Sequence, residues 1–187
     1  MTTPNWALLA ESIANKSKHK VFVSYYHDGD QAYKNEFERL FGHLFISKSV
    51  NLGDISTDVS TEYVKKLIQQ DYLSDASVLV VLIGAKTYCR KHVDWEISAA
   101  LDKKVGGYSG VIGIILPTHP SFSTQGFDGD LIPARLLDNQ QSGYAKVYKW
   151  STNPAHVKTW IDTAFADRVS LSNKITNSRL QMGKNTN

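Results

Sequence analysis

The sequence predicts an α/β fold, a three-layer αβα sandwich built on a mostly parallel five-stranded sheet. Three observations carry this. Val78-Leu79-Val80-Val81-Leu82-Ile83 is apolar at every position, as suits a central parallel strand covered on both faces. Val111-Ile112-Gly113-Ile114-Ile115-Leu116 is a second such run, stopped by Pro117. Amphipathic helical patterns lie between and around these runs, and strands alternating with helices signal a sheet flanked by helices.

Taken in order, Thr3-Pro4 reads as a cap followed by a first-turn proline. Leu8, Leu9 and Ile13 follow at helical spacing, so residues 1–18 are expected to form an N-terminal helical extension. Lys20-Val21-Phe22-Val23-Ser24-Tyr25 is a β-rich run ended by the loop His27-Asp28-Gly29-Asp30. A helix follows, with Tyr33, Phe37, Leu40, Phe41 and Leu44 on one face. A weak strand lies near 45–51, a polar loop runs from Asn51 to Ser60, and Val64, Leu67 and Ile68 mark a second helix. After Gly84 a helix covers 91–103. From Pro117 to Gly143 the chain reads as an irregular connection long enough to serve as a flap. Tyr144 to Trp150 alternates like an edge strand, and Asn153-Pro154 caps a helix with Val157, Trp160, Ile161, Ala164 and Phe165 on one stripe. One domain thus spans 19–169, and the Ser-, Asn- and Lys-rich segment 170–187 is expected to be a loosely held, flexible tail.

Composition narrows the function. With 187 residues and 42% apolar content, the chain can bury one core but not two. The net charge of +3 arises from 21 basic and 18 acidic residues spread along the chain, which argues against nucleic acid as a partner. Cys89 is the single cysteine, and the six histidines show no zinc spacing, so neither a disulfide nor a metal is expected and a cytoplasmic setting fits. No run approaches the ~18 apolar residues of a membrane helix. A Walker loop and a G-x-G-x-x-G turn are both missing, so any nucleotide must be held by other means.

Open α/β sheets bind ligands beyond the carboxyl ends of their strands, where strand order reverses. For the flavodoxin-like order 2-1-3-4-5, that place lies between the first and third strands, and Ser24 to Asp30 would face Gly84 to Glu96. Tyr25, Tyr26 and His27 offer rings and polar groups for a base or ribose, or else one tyrosine is core and the other edge packing. Lys86, Arg90 and Lys91 are either pyrophosphate donors or a solvated basic loop. Asp28 and Asp30 read as loop and cap residues, and Cys89 as a small, partly buried one. With Val93, Ile97, Ala100 and Leu101 as the buried stripe, Glu96 falls on its flank and Trp95 points away from the core. The residues alone leave Glu96 either a cleft carboxylate or an ordinary surface glutamate favouring a helix N-terminus.

Val21-Phe22-Val23-Ser24-Tyr25-Tyr26, the strand ending Val81-Leu82-Ile83-Gly84, the stretch from Thr87 through Arg90 to Trp95-Glu96-Ile97, and Ile132-Pro133-Ala134-Arg135-Leu136-Leu137-Asp138-Asn139 together resemble the bacterial TIR-like family that includes the TIR protein of Thoeris anti-phage defence. The likeness covers about residues 19–165. It implies a flavodoxin-like fold and an enzyme that takes NAD as substrate, with no separate cofactor. Such an enzyme releases nicotinamide and makes an ADP-ribose-derived, commonly cyclic messenger that activates a separate effector protein. By the same resemblance Glu96 matches the catalytic glutamate. Ser24, Tyr25, Tyr26 and His27 match the loop bordering the substrate pocket, and Gly84, Thr87, Arg90 and Trp95 join them as expected substrate-binding positions. Assembly into a homo-oligomer on activation is implied too, and the N-terminal extension could dock a second copy. The chemistry suits one carboxylate: nicotinamide departs without needing a general acid, and an anion can stabilise the charge developing on ribose. The competing reading from a different class is a non-enzymatic TIR-like interaction module. A receiver-like domain fits less well, because Ser24-Tyr25-Tyr26 stands where clustered acidic residues would be required.

Overall fold

The computed structural model describes residues 18–48, 75–103 and 106–186. Within these residues five strands, β1 (Lys20–Ser24), β2 (Ile46–Ser47), β3 (Val78–Ile83), β4 (Gly110–Ile115) and β5 (Lys146–Lys149), form one sheet in the order β2-β1-β3-β4-β5, with each of these pairings parallel. This is the flavodoxin-like order, and order reverses between β1 and β3. Val21 pairs with Val78 and Ser24 with Val81, so β3 runs on past the end of β1 towards Gly84.

Among the described residues four helices cover the sheet: α1 (His27–Phe41), α2 (Lys91–Leu101), α3 (Ala134–Gln141) and α4 (Pro154–Ser170). Strand alternation divides the core in two. Phe22, Leu79, Val81, Ile83, Val111 and Ile115 meet α2 and α3. Val21, Val23, Val78, Val80, Leu82, Ile112 and Ile114 meet Phe37 and Phe41 of α1 and Val157, Ile161 and Ala164 of α4. Both faces of β3 and β4 are therefore apolar, which is why these strands read as unbroken hydrophobic runs. Gly110 lets α4 approach β4 closely, since a Cβ there would lie 2.0 Å from the Ala164 carbonyl oxygen.

Several expectations need correction. The strand near 45–51 is two residues long, the one predicted over 144–150 is confined to Lys146–Lys149, and the helix predicted over 91–103 ends at Leu101. The connection 117–143 is not an irregular flap. It holds a 3-10 turn, Gly129–Leu131, and the helix α3, whose inward face carries Arg135, Leu136 and Asn139. Two of those three residues are polar, so the apolar spacing that marks a helix is absent. Arg135 is buried because its guanidinium pairs with Asp94 of α2, Nε to Oδ1 at 2.9 Å.

The segment after Val169, expected to be loose, is tied across α2 and α3. Thr176 exchanges hydrogen bonds with the Asn139 side chain, Asn177 donates to the Ser98 carbonyl, and Arg179 forms a two-pronged pair with Asp138. Its polar composition serves hydrogen bonding to the domain rather than solvation. The expected helices in 1–18 and around Val64, and the loop from Asn51 to Ser60, lie outside the described residues, save Lys18.

Candidate active site

The two segments expected to face each other do so at the carboxyl ends of β1 and β3. Ser24 closes β1 and, by strand alternation, projects to the same side of the sheet as α2. Glu96 sits in the middle of α2 and is 2% exposed. The surface reading of Glu96 does not hold, because every residue from Val93 to Leu101 is buried. Desolvation pushes the Glu96 carboxyl up to about 8, and interaction with Ser24 lowers it only in part. The Ser24 hydroxyl is itself buried and completes no hydrogen bond of ordinary geometry. A sealed carboxyl beside an unsatisfied hydroxyl is a costly arrangement for a merely structural interior.

The rest of the first loop is organised by α1, which starts at His27, so the turn is shorter than the sequence suggests. Tyr25 is buried, its hydroxyl donates to Gln31 at 2.7 Å, and its ring lies 4.3 Å from that of His27. Burial raises the Tyr25 phenol, and the nearby Glu96 charge raises it further. Burial lowers both His27 and His92, and the nearby charges of Lys91 and His27 lower His92 further. His92 leaves its Nδ1 without a partner and meets the Trp95 ring edge-on at 5.0 Å. Tyr26 folds back over the first turn of α1, so close to Gly29 that a Cβ there would lie 2.7 Å from its ring, and the Arg90 guanidinium covers it at 4.2 Å. Ser24, Tyr25, His27, His92 and Glu96 thus form one cluster, with Tyr26 and Arg90 stacked beside it.

Gly84 and Thr87 play a different part. The Gly84 amide donates to the Thr87 hydroxyl at 2.9 Å, and that hydroxyl donates to Asp30 at 2.8 Å. A Cβ on Gly84 would lie 2.0 Å from Asp30 Oδ1, so glycine is what allows the carboxylate to rest against the end of β3. Both positions brace the two loops together. Asp30, expected to be a loop or cap residue, is 2% exposed and is the acceptor of that brace. Its partner lies 57 positions away, and no local spacing announces it.

Trp95 is corrected outright. It does not point away from the core: it packs within the cluster around Phe22, Leu79 and Ile83, at 2% exposure, and its Nε1 donates to the Met182 carbonyl at 2.8 Å. The carboxyl-terminal segment covers this side of α2, which makes both sides of the helix interior and defeats a phase argument based on one buried stripe. His92 was missed too; four residues before Glu96, it stands one turn back on the same side of α2. Cys89 is buried, and its thiol lies 3.1 Å from the Lys86 carbonyl. Lys91 places its ammonium 5.1 Å from the Trp95 ring. Among the described residues no three potential metal ligands gather, and no helix is long and apolar enough to cross a membrane.

Comparison with known proteins places this geometry in context. Residues 22–121 match the family described as Thoeris protein ThsB, TIR-like domain. Curated protein sequences yield no match. Among solved structures, the TIR domains of the activated Roq1 resistosome directly recognising the pathogen effector XopQ align at 12% identity over 83% of this chain and 84% of that chain, with a TM-score of 0.38. The family match takes in most of β1, all of β3 and the whole of α2 with Glu96, and it spans more than half of the sequence. The chain therefore belongs to the TIR-like domain family of the Thoeris protein ThsB.

Proposed function

We propose that this TIR-like protein cleaves the bond between nicotinamide and ribose in NAD, with Glu96 as the catalytic residue, and passes the ADP-ribose portion into a diffusible, cyclic messenger for a separate effector. The observation that carries the reading is the Glu96 carboxyl, buried at the switch point beside Ser24 and Tyr25 and raised to about 8. The nicotinamide ring of NAD is cationic. Entry of a cation beside a desolvated carboxyl favours its ionised form, so substrate binding would itself generate the anion. That anion then stabilises positive charge developing on ribose, in a site where little water competes. No group is required to protonate the departing ring, which fits a cluster holding a single carboxylate at its centre. Tyr25 and His27 supply rings and polar edges for the ribose or nicotinamide, and Arg90 leaves a cationic face near the loop for the phosphates.

The test is to give NAD to purified protein and to lysate of phage-infected cells that express it, and to follow nicotinamide and ADP-ribose products by chromatography. Cleavage in either sample, reduced about 100-fold or more in Glu96→Gln, is the expected result. Intact NAD in both samples, or a variant equal to the wild type, would replace the enzyme with a non-enzymatic interaction module.

A further inference from the structure

The helix that carries Glu96 is held from outside by the end of the chain. Along the outward side of α2, a series of polar groups from Cys89 to Asp102 bonds to residues 177–186. The Lys91 amide, one of the donors left open at the helix start, donates to Asn185 Oδ1 at 2.9 Å, and the Thr186 amide donates to the Cys89 carbonyl just ahead of it. Arg90, at the capping position, provides no side-chain cap, so Asn185 does so from 94 residues away. One turn on, Met182 makes a two-way clasp: its amide donates to Asp94 Oδ2 and its carbonyl accepts from Trp95 Nε1, both at 2.8 Å. Further on, Asn177 donates to the Ser98 carbonyl and to Asp102, and accepts from Arg135 at 2.7 Å.

Ile175 packs against the core at the start of this segment, and beyond it polar bonds from Asn177, Met182 and Asn185 do most of the holding. A half-open pocket of about 520 Å³ lies between it and the domain, lined by Tyr88, Asp94, Pro133 and Met182, and Leu180 is 91% exposed. The bonds are concentrated on the residues flanking Glu96 on both sides: Asp94 and Trp95 before it, Ser98 after it. Freeing the segment would leave the buried Asp94 carboxylate with one fewer donor, Trp95 with its indole N–H open, and the start of α2 uncapped.

We propose that residues 175–186 are a positioning strap, which fixes the placement of α2 and so holds Glu96 against Ser24 in the site. The consequence for NAD cleavage rests on the function proposed above; the hold on Glu96 does not.

The experiment uses the full-length chain carrying Asn177→Ala and Met182→Pro, the second of which removes the amide that binds Asp94. Hydrogen exchange of the Lys91 amide and the Trp95 indole should quicken at least about tenfold while the amides of β3 and β4 stay protected, because the strap bonds lie outside the sheet ladder. Glu96 should then titrate at least about one unit lower by carbon-detected NMR, as α2 admits water, and the pH limb of NAD cleavage should move with it. An unchanged Glu96 midpoint in this variant overturns the strap. Asn177→Ala alone is read by the same criterion if the double variant does not fold. If the wild type does not cleave NAD the functional proposal fails, and the Glu96 titration still decides the strap.

Discussion

The hydroxyl of Thr87 donates a 2.8 Å hydrogen bond to the carboxylate of Asp30, joining the start of α1 to the turn after β3 across 57 residues of sequence. Both groups are buried, so the bond has no ready replacement in water. Thr87→Val keeps the shape and removes the donor. It should cost about 1 to 3 kcal/mol in urea denaturation, because the Asp30 carboxyl is left short of a partner. A loss below about 0.5 kcal/mol would show that the brace is incidental.

Gly84 tests the same junction by size. Gly84→Ala drives a methyl group into the Asp30 carboxylate and should destabilise by about 1 to 3 kcal/mol. Combining it with Asp30→Ala clears the obstructing group, so the pair should lose less than the sum of its parts. Strict additivity in that double-mutant cycle is the outcome that contradicts the contact.

For Glu96 the direction of the pH effect follows from its raised midpoint. Below about 4.5 the carboxyl is protonated in folded and unfolded chains alike. Between there and about 8 only the unfolded chain ionises, so the contribution of this group to stability falls as pH rises. Glu96→Gln does not titrate. It should therefore gain on the wild type through that window, by up to roughly 4 to 5 kcal/mol above pH 8, in denaturation curves taken at several pH values. Parallel curves for the two proteins would mean that Glu96 is not sealed.

Catalysis should move the opposite way. If the ionised carboxylate is the working form, kcat/KM for NAD cleavage rises with pH along a limb centred near 8, since that parameter reports the free enzyme. A profile flat between pH 6 and 9 would argue against it.

The Asp94 and Arg135 pair supplies a fifth test. Asp94→Ala leaves the Arg135 guanidinium buried, with its side chain 0% exposed, and should cost about 3 to 5 kcal/mol. Replacing both residues with leucine and methionine should cost much less, and thermal denaturation of the three proteins separates these cases.

How far this molecule can be read from its sequence depends on whether a residue's partners are local. β3 and β4 are unmistakable because both of their faces are apolar, and a flavodoxin-like strand order is enough to set the loop Ser24 to Asp30 opposite the segment Gly84 to Glu96. The depth of Glu96 was not legible, since a helical phase assumes one wet side and α2 has none. What removes the wet side is a polar segment some ninety residues downstream, whose composition reads as a solvated tail. Helix α3 escaped notice for a related reason: Arg135 and Asn139 sit on its inward face, where a pattern search expects leucine. Asp30 and His92 belong to the site through contacts between β1, α1 and α2, and nothing in their immediate neighbours distinguishes them from ordinary loop and helix residues.

The enclosure of α2 between the sheet and residues 175–186 bears on how this family can change over time. A helix with one free side can drift at half of its positions without consequence. Here each side chain from Val93 to Leu101 answers to neighbours on one flank or the other, so the stretch around Glu96 has almost no neutral positions. Divergence between relatives should accumulate on α1 and α4, which keep exposed sides, and new substrate preferences would have to arise from the loops rather than from the helix that bears the carboxyl group.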